Sequence, residues 1–243
     1  MLEETVPARV ARSANCSTCN FRELCLPAGL CTNDLDRVEK VVHARRRIRR
    51  GEVLFNAGDS FNSLYAIRTG FFKASVLDDE GREQVTGFSM GGELLGLEGI
   101  GTGSYNSTAT ALEDSDVCIM PFAMLEEISQ QVRPLQRHLH AVLAREIVRD
   151  HGVMMLLGSM RAEERLAVFL LNLSQRFTVR GYSPSEFYLR MTREEIGSYL
   201  GLKLETVSRV FSRFQEAGLV CVQQKHIRIT DIAGLKQIVR QAA

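Results

Sequence analysis

No run of apolar residues in the 243-residue chain approaches the ~20 that a membrane-spanning helix needs. VMMLL and LAVFLL are core-sized pieces. The start, MLEETVPARVARSANC, carries acids and no apolar run, so no secretory signal is expected. Catalytic signatures are missing as well. There is no nucleophile elbow, no H-E-x-x-H, no Walker loop and no dinucleotide fingerprint set between a strand and a helix. The expectation is a cytoplasmic protein with no membrane partner, and not an enzyme. In that compartment the six cysteines are thiols or metal ligands rather than disulfides. One more absence is local: between Arg82 and Arg133 there is no Lys, Arg or His.

What is present is ordinary in bulk and uneven in detail. A hydrophobic content of 45% and a charged content of 24% are those of a globular chain with one large or two modest cores. The net charge is +1, but from Ser159 onward 13 Lys and Arg face 8 Asp and Glu, against 17 and 21 before it. A basic C-terminal third suggests a polyanion-binding module joined to something of another kind.

Near the N-terminus, CSTCNFRELCLP places Cys16, Cys19 and Cys25 at C-x2-C-x5-C spacing, with little helical or strand pattern. Close thiols on a short loop can turn toward one metal centre. Cys31 and Cys118 are candidates for a fourth ligand, and Cys221 is remote in sequence. Zinc sites usually pair two C-x2-C units and only one is present, whereas an iron–sulfur cluster tolerates one distant thiolate. The spacing leaves cluster, zinc and free or redox thiols open. Cys118, in VCIMP, sits on a strand where core packing is the plain alternative.

Residues 47–122 are dense in short β-like runs broken by glycine: SLYAIR, Thr69-Gly70, FFKASVL, the turn Asp78-Asp79-Glu80-Gly81, and QVTGFSM. A small antiparallel barrel or jelly roll is predicted. Its later part, GGELLGLEGIGTGSYNSTATALEDSDVCIMPF, resembles the ligand region of cyclic-nucleotide-binding domains. A buried cyclic phosphate needs a cation or a focused set of donors. Here Tyr105-Asn106-Ser107-Thr108 stands where an arginine belongs, so no cyclic nucleotide is expected.

Residues 134–158 then read as one long helix. Pro134 suits the first turn. Leu135, Leu139, Val142, Leu143, Ile147, Met154 and Met155 form an apolar stripe that Asp150 interrupts on the same face. Either the helix packs on its own domain with Asp150 at the edge, or it is the seam of a homodimer with two aspartates facing across a two-fold axis.

AEERLAVFLLNLSQRF reads as a further helix and RGYSPSEF as a loop. Residues 191–218 are the most informative. Thr192 and Glu195 form a capping box, Gly201 stops that helix, and a second one follows three residues later and ends at Gly218. Helix, short turn, helix is the DNA-reading motif, with the second helix in the major groove. Arg209 can fork onto guanine, Glu205 can accept from cytosine or adenine, and Ser208 adapts to either; Arg213 lies one turn further on. LVCVQQKHIRI alternates like a hairpin wing.

In this order, with CSTCNFRELCLP, SLYAIRTG, AEERLAVFLLNLS, GYSPSEF and MTREEIGSYLGLKLETVSR, the chain resembles the CRP/FNR superfamily of bacterial transcription regulators. Within it, the oxygen-responsive FNR branch is the most similar, the Anr proteins included. The resemblance runs from Cys16 to about Ile229. It implies an α+β chain: a cysteine-rich cluster-binding segment (1–31), a β-roll sensory domain (32–133), a dimerisation helix (134–158) and a winged helix-turn-helix (159–243). It implies a [4Fe-4S] cluster on Cys16, Cys19, Cys25 and Cys118, and an anaerobic dimer that Ile147 favours and Asp150 opposes. It also implies contacts from Glu205, Ser208 and Arg209 to a palindrome of double-stranded DNA resembling TTGAT-N4-ATCAA, contact with RNA polymerase, and control of genes of anaerobic metabolism. The chain departs from the pattern at Cys31, a further thiol near the loop, and at Lys203, where a small capping residue is expected. The alternatives are a cyclic-nucleotide-sensing or a zinc-stabilised regulator of the same architecture.

Overall fold

The computed structural model describes residues 16–27, 30–42 and 44–240. The first fifteen residues of the cysteine-rich segment, with 28 and 29, lie outside the described residues. The chain divides into two compact units, residues 1–82 with 86–145 and residues 83–85 with 146–243. The division falls inside the long helix.

The first unit opens with one helical turn, α1 (Arg22–Cys25), and α2 (Thr32–Val41). The strands β1 (Ala44–Ile48), β2 (Val53–Phe55), β3 (Ser63–Thr69), β4 (Phe71–Leu77), β5 (Glu83–Met90) and β6 (Leu94–Leu95) follow. A short helix α3 (Gly99–Thr102) precedes β7 (Thr108–Ala111) and β8 (Ser115–Pro121), and α4 (Phe122–Gln131) leads into α5 (Arg133–Ser159). Two four-stranded sheets result, in the orders β1-β8-β3-β6 and β2-β7-β4-β5. The central strand β8 pairs antiparallel with β1 and β3, and β7 with β2 and β4. The turn at Asp78 closes because its carboxylate accepts the backbone N–H groups of Glu80 and Arg82, each at 2.9 Å.

Two apolar clusters hold this unit. Between the sheets lie Ile48, Leu54, Phe55, Ile67, Phe72, Tyr105 and Val117. Tyr105 stacks on Phe55 with ring centroids 4.0 Å apart and donates its hydroxyl to the Ser63 carbonyl at 2.7 Å. The interior that could hold a ligand in a wider roll is thus filled by aromatic side chains. Outside the sheets, Leu35, Val38 and Val41 of α2 meet Leu64 and Met120 of the strands, Leu125 and Ile128 of α4, and Leu135 of α5.

The apolar stripe read along α5 is two faces, not one. Leu135 and Val142 are buried, whereas Ile147 is 57% exposed, Met154 61% and Met155 63%. Helical spacing shows that residues share a side and is silent on what covers each length of it.

The second unit continues from α5 into α6 (Ala162–Val179), β9 (Glu186–Tyr188), α7 (Arg193–Leu200), α8 (Leu204–Glu216), β10 (Val220–Gln223), β11 (His226–Ile229) and α9 (Ile232–Arg240). The end of the segment predicted as a loop, RGYSPSEF, is instead strand. Phe187 of β9 sits opposite Ile227 of β11, so the wing is a three-stranded sheet β10-β11-β9. Three residues are too few for alternation to show in the sequence.

Candidate metal centre and nucleic-acid interface

The loop that carries the first three cysteines is a succession of tight turns. The Cys19 N–H donates to the Cys16 carbonyl at 3.2 Å, Arg22 to Cys19 at 3.1 Å and Cys25 to Phe21 at 3.0 Å. The Ser17 N–H donates to the Glu39 carboxylate at 2.7 Å, which fixes the loop on α2. Cys118 comes from the middle of β8, where it sits between Arg45 of β1 and Ala66 of β3. Cys16, Cys19, Cys25 and Cys118 all line one pocket of about 490 Å³ of empty space, partly open, walled by Phe21, Leu26, Val42, Ile67 and Met120.

Burial disfavours thiolates here. It is the main cause pushing Cys16 up to about 12 and Cys118 to about 11, and Cys25 is raised as well. Neighbouring sulfurs add to the rise at Cys16, Cys25 and Cys118, as close groups of like charge do. Without a metal these three thiols stay protonated at neutral pH; a metal centre would displace the protons. The surroundings favour negative charge: Arg22 and Arg68 line the pocket, and Arg68 acts to lower Cys16 and Cys118. The Nε of Arg45, near Cys118 and Cys19, is buried without a partner. Four thiols, apolar walls and nearby guanidinium groups fit a thiolate-ligated metal centre. Among the described residues no three His, Cys, Asp or Glu groups stand close enough to share one ion.

Cys31 lies outside this pocket. It is exposed and caps α2, its sulfur accepting the Asp34 N–H at 3.4 Å. Neither Arg22 and Arg68 as pocket residues nor His138 could be read from the spacing of the chain. That imidazole of α5 donates to the Cys25 carbonyl, and burial lowers its pKa. It lines a second apolar cavity that shares Cys25, Leu26, Val42 and Met120 with the first.

In the second unit, α7 is capped at Thr192. Its hydroxyl accepts from the Glu195 N–H at 3.1 Å, and the Glu195 carboxylate accepts from the Thr192 N–H at 2.7 Å. Close approach of α7 to the following turn requires glycine at 197, since a Cβ there would lie 2.5 Å from the Leu202 carbonyl. Val207, Val210, Phe211 and Phe214 bury the inner face of α8, and the Arg193 guanidinium covers the Phe211 ring at 4.6 Å. Glu205 and Arg209 are exposed on the outer face and Ser208 is half-buried beside them. Arg213 is exposed too, but pairs with Glu163 of α6. On α5, Ile147 and Asp150 are both exposed, one helical turn apart.

Helix α8 has no side-chain cap, because Lys203 occupies that position. Lys203→Ser is expected to raise unfolding stability by about 0.5–1 kcal/mol in urea titrations. The same change should weaken DNA binding and lower its salt slope by about one phosphate contact.

Comparison with known proteins bears on both regions. Residues 164–238 match the family model of the Crp-like helix-turn-helix domain, and residues 45–132 that of the cyclic nucleotide-binding domain. The transcriptional activator protein Anr of Pseudomonas aeruginosa is 45% identical, over 95% of this chain and 94% of its own. The fumarate and nitrate reduction regulatory protein of Escherichia coli K12 is 42% identical, over 92% of this chain and 90% of its own. Among solved structures, FixK2 of Bradyrhizobium japonicum superimposes with a TM-score of 0.73 at 28% identity, covering 80% of this chain and 96% of that one.

Proposed function

This chain belongs to the CRP/FNR family of transcription regulators, and we propose that it is an oxygen-responsive member that holds a [4Fe-4S] cluster on Cys16, Cys19, Cys25 and Cys118. One observation carries the reading. Four thiols from two segments about a hundred residues apart meet around a single pocket, and a second cavity that shares Cys25 with it is lined by the first turns of α5. Zinc sites usually pair two C-x2-C units and this chain has one, whereas an iron–sulfur cluster takes one thiolate per iron and accepts one from a distant strand.

When bound, the cluster supplies iron that takes four thiolates and reacts with oxygen. The protein's part is mechanical. Cys118 ties the loop to β8, Ser17 ties it to α2, and His138 joins the Cys25 carbonyl to α5. A loop drawn onto the roll steadies that end of α5. The exposed length of α5, with Ile147, Met154 and Met155, then pairs with a second copy against the repulsion of Asp150. The dimer presents two α8 helices about one DNA turn apart to a palindrome, Arg209, Glu205 and Ser208 reading base edges. Binding the second half-site is then effectively intramolecular. With Cys16, Cys19, Cys25 and Cys118 no longer held together, the loop would come away from the roll and the dimer would fall apart. The reading carries with it a cytoplasmic location and contact with RNA polymerase. No helix among the described residues is long and apolar enough to cross a membrane.

The match to the cyclic nucleotide-binding domain raises a second reading, but residues 83–132 offer no cation and Tyr105 fills the roll. The test is an absorption spectrum of anaerobically purified protein with iron and sulfide analysis. Brown colour with a band at about 420 nm, bleached by air, is expected of thiolate-ligated iron–sulfur. A colourless protein carrying zinc would overturn the proposal.

A further inference from the structure

The strongest contact that the reading above leaves unused is at Arg165, in the first turns of α6. Its side chain donates to three carbonyls on three elements. Nη2 reaches Leu157 of α5 at 2.8 Å, Nε reaches Met160 of the connection at 2.9 Å, and Nη1 reaches Leu200, the last residue of α7, at 2.9 Å. Leu157 and Leu200 lie at the C-terminal ends of their helices, where carbonyls lack intrahelical partners and carry partial negative charge. One planar guanidinium therefore caps two helices and the link after the first of them.

The packing around it is close. Gly201 has the left-handed conformation at φ 62°, and a Cβ there would lie 3.2 Å from both Arg165 Nη1 and Leu157 Cδ2. Two residues earlier, the half-buried Tyr199 of α7 packs against Phe169 of α6, with ring centroids 6.0 Å apart. The charges of Glu146, Arg149 and Asp150 on α5 reach its hydroxyl. The C-terminal half of α5 and the first helix of the DNA-reading motif are thus fixed to each other through α6. Helix α8 follows α7 after only three residues.

We infer that Arg165 is a positioning residue that sets which half-site spacing the regulator accepts. The inference rests on the reading of α5 as the dimer seam. If two α5 helices define the two-fold axis, Arg165 fixes how far each α8 stands from that axis and how it is turned. Lysine keeps the charge, but its three donors share one atom and cannot span three carbonyls.

The test uses the full-length chain, loaded and anaerobic, as wild type, Arg165→Lys and Arg165→Met. Fluorescence anisotropy measures binding to a palindrome, to versions with the spacer one base pair shorter or longer (roughly 3.4 Å along the axis), and to a single half-site. Wild type is expected to lose at least about tenfold in affinity when the spacer changes. Both variants are expected to lose less than about threefold, with half-site affinity and sedimentation as dimers unchanged. If wild-type spacing preference survives in either variant, the role of the guanidinium fork is overturned. If half-site affinity falls equally in both, Arg165 merely supports the fold and the inference is also overturned. A wild-type chain with no spacing preference would sink the dimer reading, and this inference with it.

Discussion

Asp150→Ala is expected to sediment as a dimer in air and to bind a palindromic operator there about as tightly as the wild type does without oxygen. The argument begins with exposure. Ile147, Val148, Met154 and Met155 are all more than half exposed on α5, and Asp150 lies one turn from Ile147 and one from Met154. Pairing this face with a second copy brings the two aspartates together at the axis. At ~6 Å and an effective dielectric of ~20, two such charges repel by about 2–3 kcal/mol. Removing that repulsion shifts the dimerisation constant by about one and a half to two orders of magnitude. Ile147→Ala should act in the opposite sense, leaving the loaded protein largely monomeric under nitrogen, because it removes apolar surface from the seam. Sedimentation under both atmospheres checks each. An Asp150→Ala chain that remains monomeric and inactive in air would overturn the seam as the switch.

How far these features could be read from the sequence depended on their length scale. The helix-turn-helix was legible because its signals are local: the Thr192–Glu195 box, Gly201 and the apolar spacing of Val207, Val210, Phe211 and Phe214 each act within a few residues. The missing cap at Lys203 was legible for the same reason. Strand β9 was not, since Phe187 alone faces inward and its pairing with Ile227 spans forty residues. The long helix was legible as a helix but not as a helix with two kinds of face. Its first turns are covered by α2 and α4, and only the fold supplies that cover. The site divides in the same way. Cys16, Cys19 and Cys25 stand out by spacing, whereas Cys118 was one of two candidates that spacing left open and a family resemblance chose between, and the fold is what sets it in the same pocket. Arg68 in SLYAIRTG is an ordinary strand residue until Cys16 and Cys118 are placed beside it.

The contrast between Cys118 and Cys31 yields the second large effect. Cys118→Ser is expected to purify colourless, with little iron or sulfide, and to bind the operator no better without oxygen than with it. Cys31→Ser is expected to keep the full chromophore. The nearest sulfur in sequence to the loop is Cys31, so counting along the chain would make it the fourth ligand. Geometry reverses that order. Cys31 is not among the residues that line the pocket, and its sulfur is used by the Asp34 N–H, a task that serine performs at least as well. Cys118 is held on the central strand of its sheet, between β1 and β3, and cannot be replaced by a mobile segment. Its loss leaves three ligands on one loop and cuts the tie between that loop and the sheet. A hydroxyl in its place is a far weaker ligand for iron than a thiolate at neutral pH. If Cys31→Ser were colourless and Cys118→Ser brown, the pocket would not be the metal site. The coupling from loop to α5 would then have to begin at the N-terminus of α2.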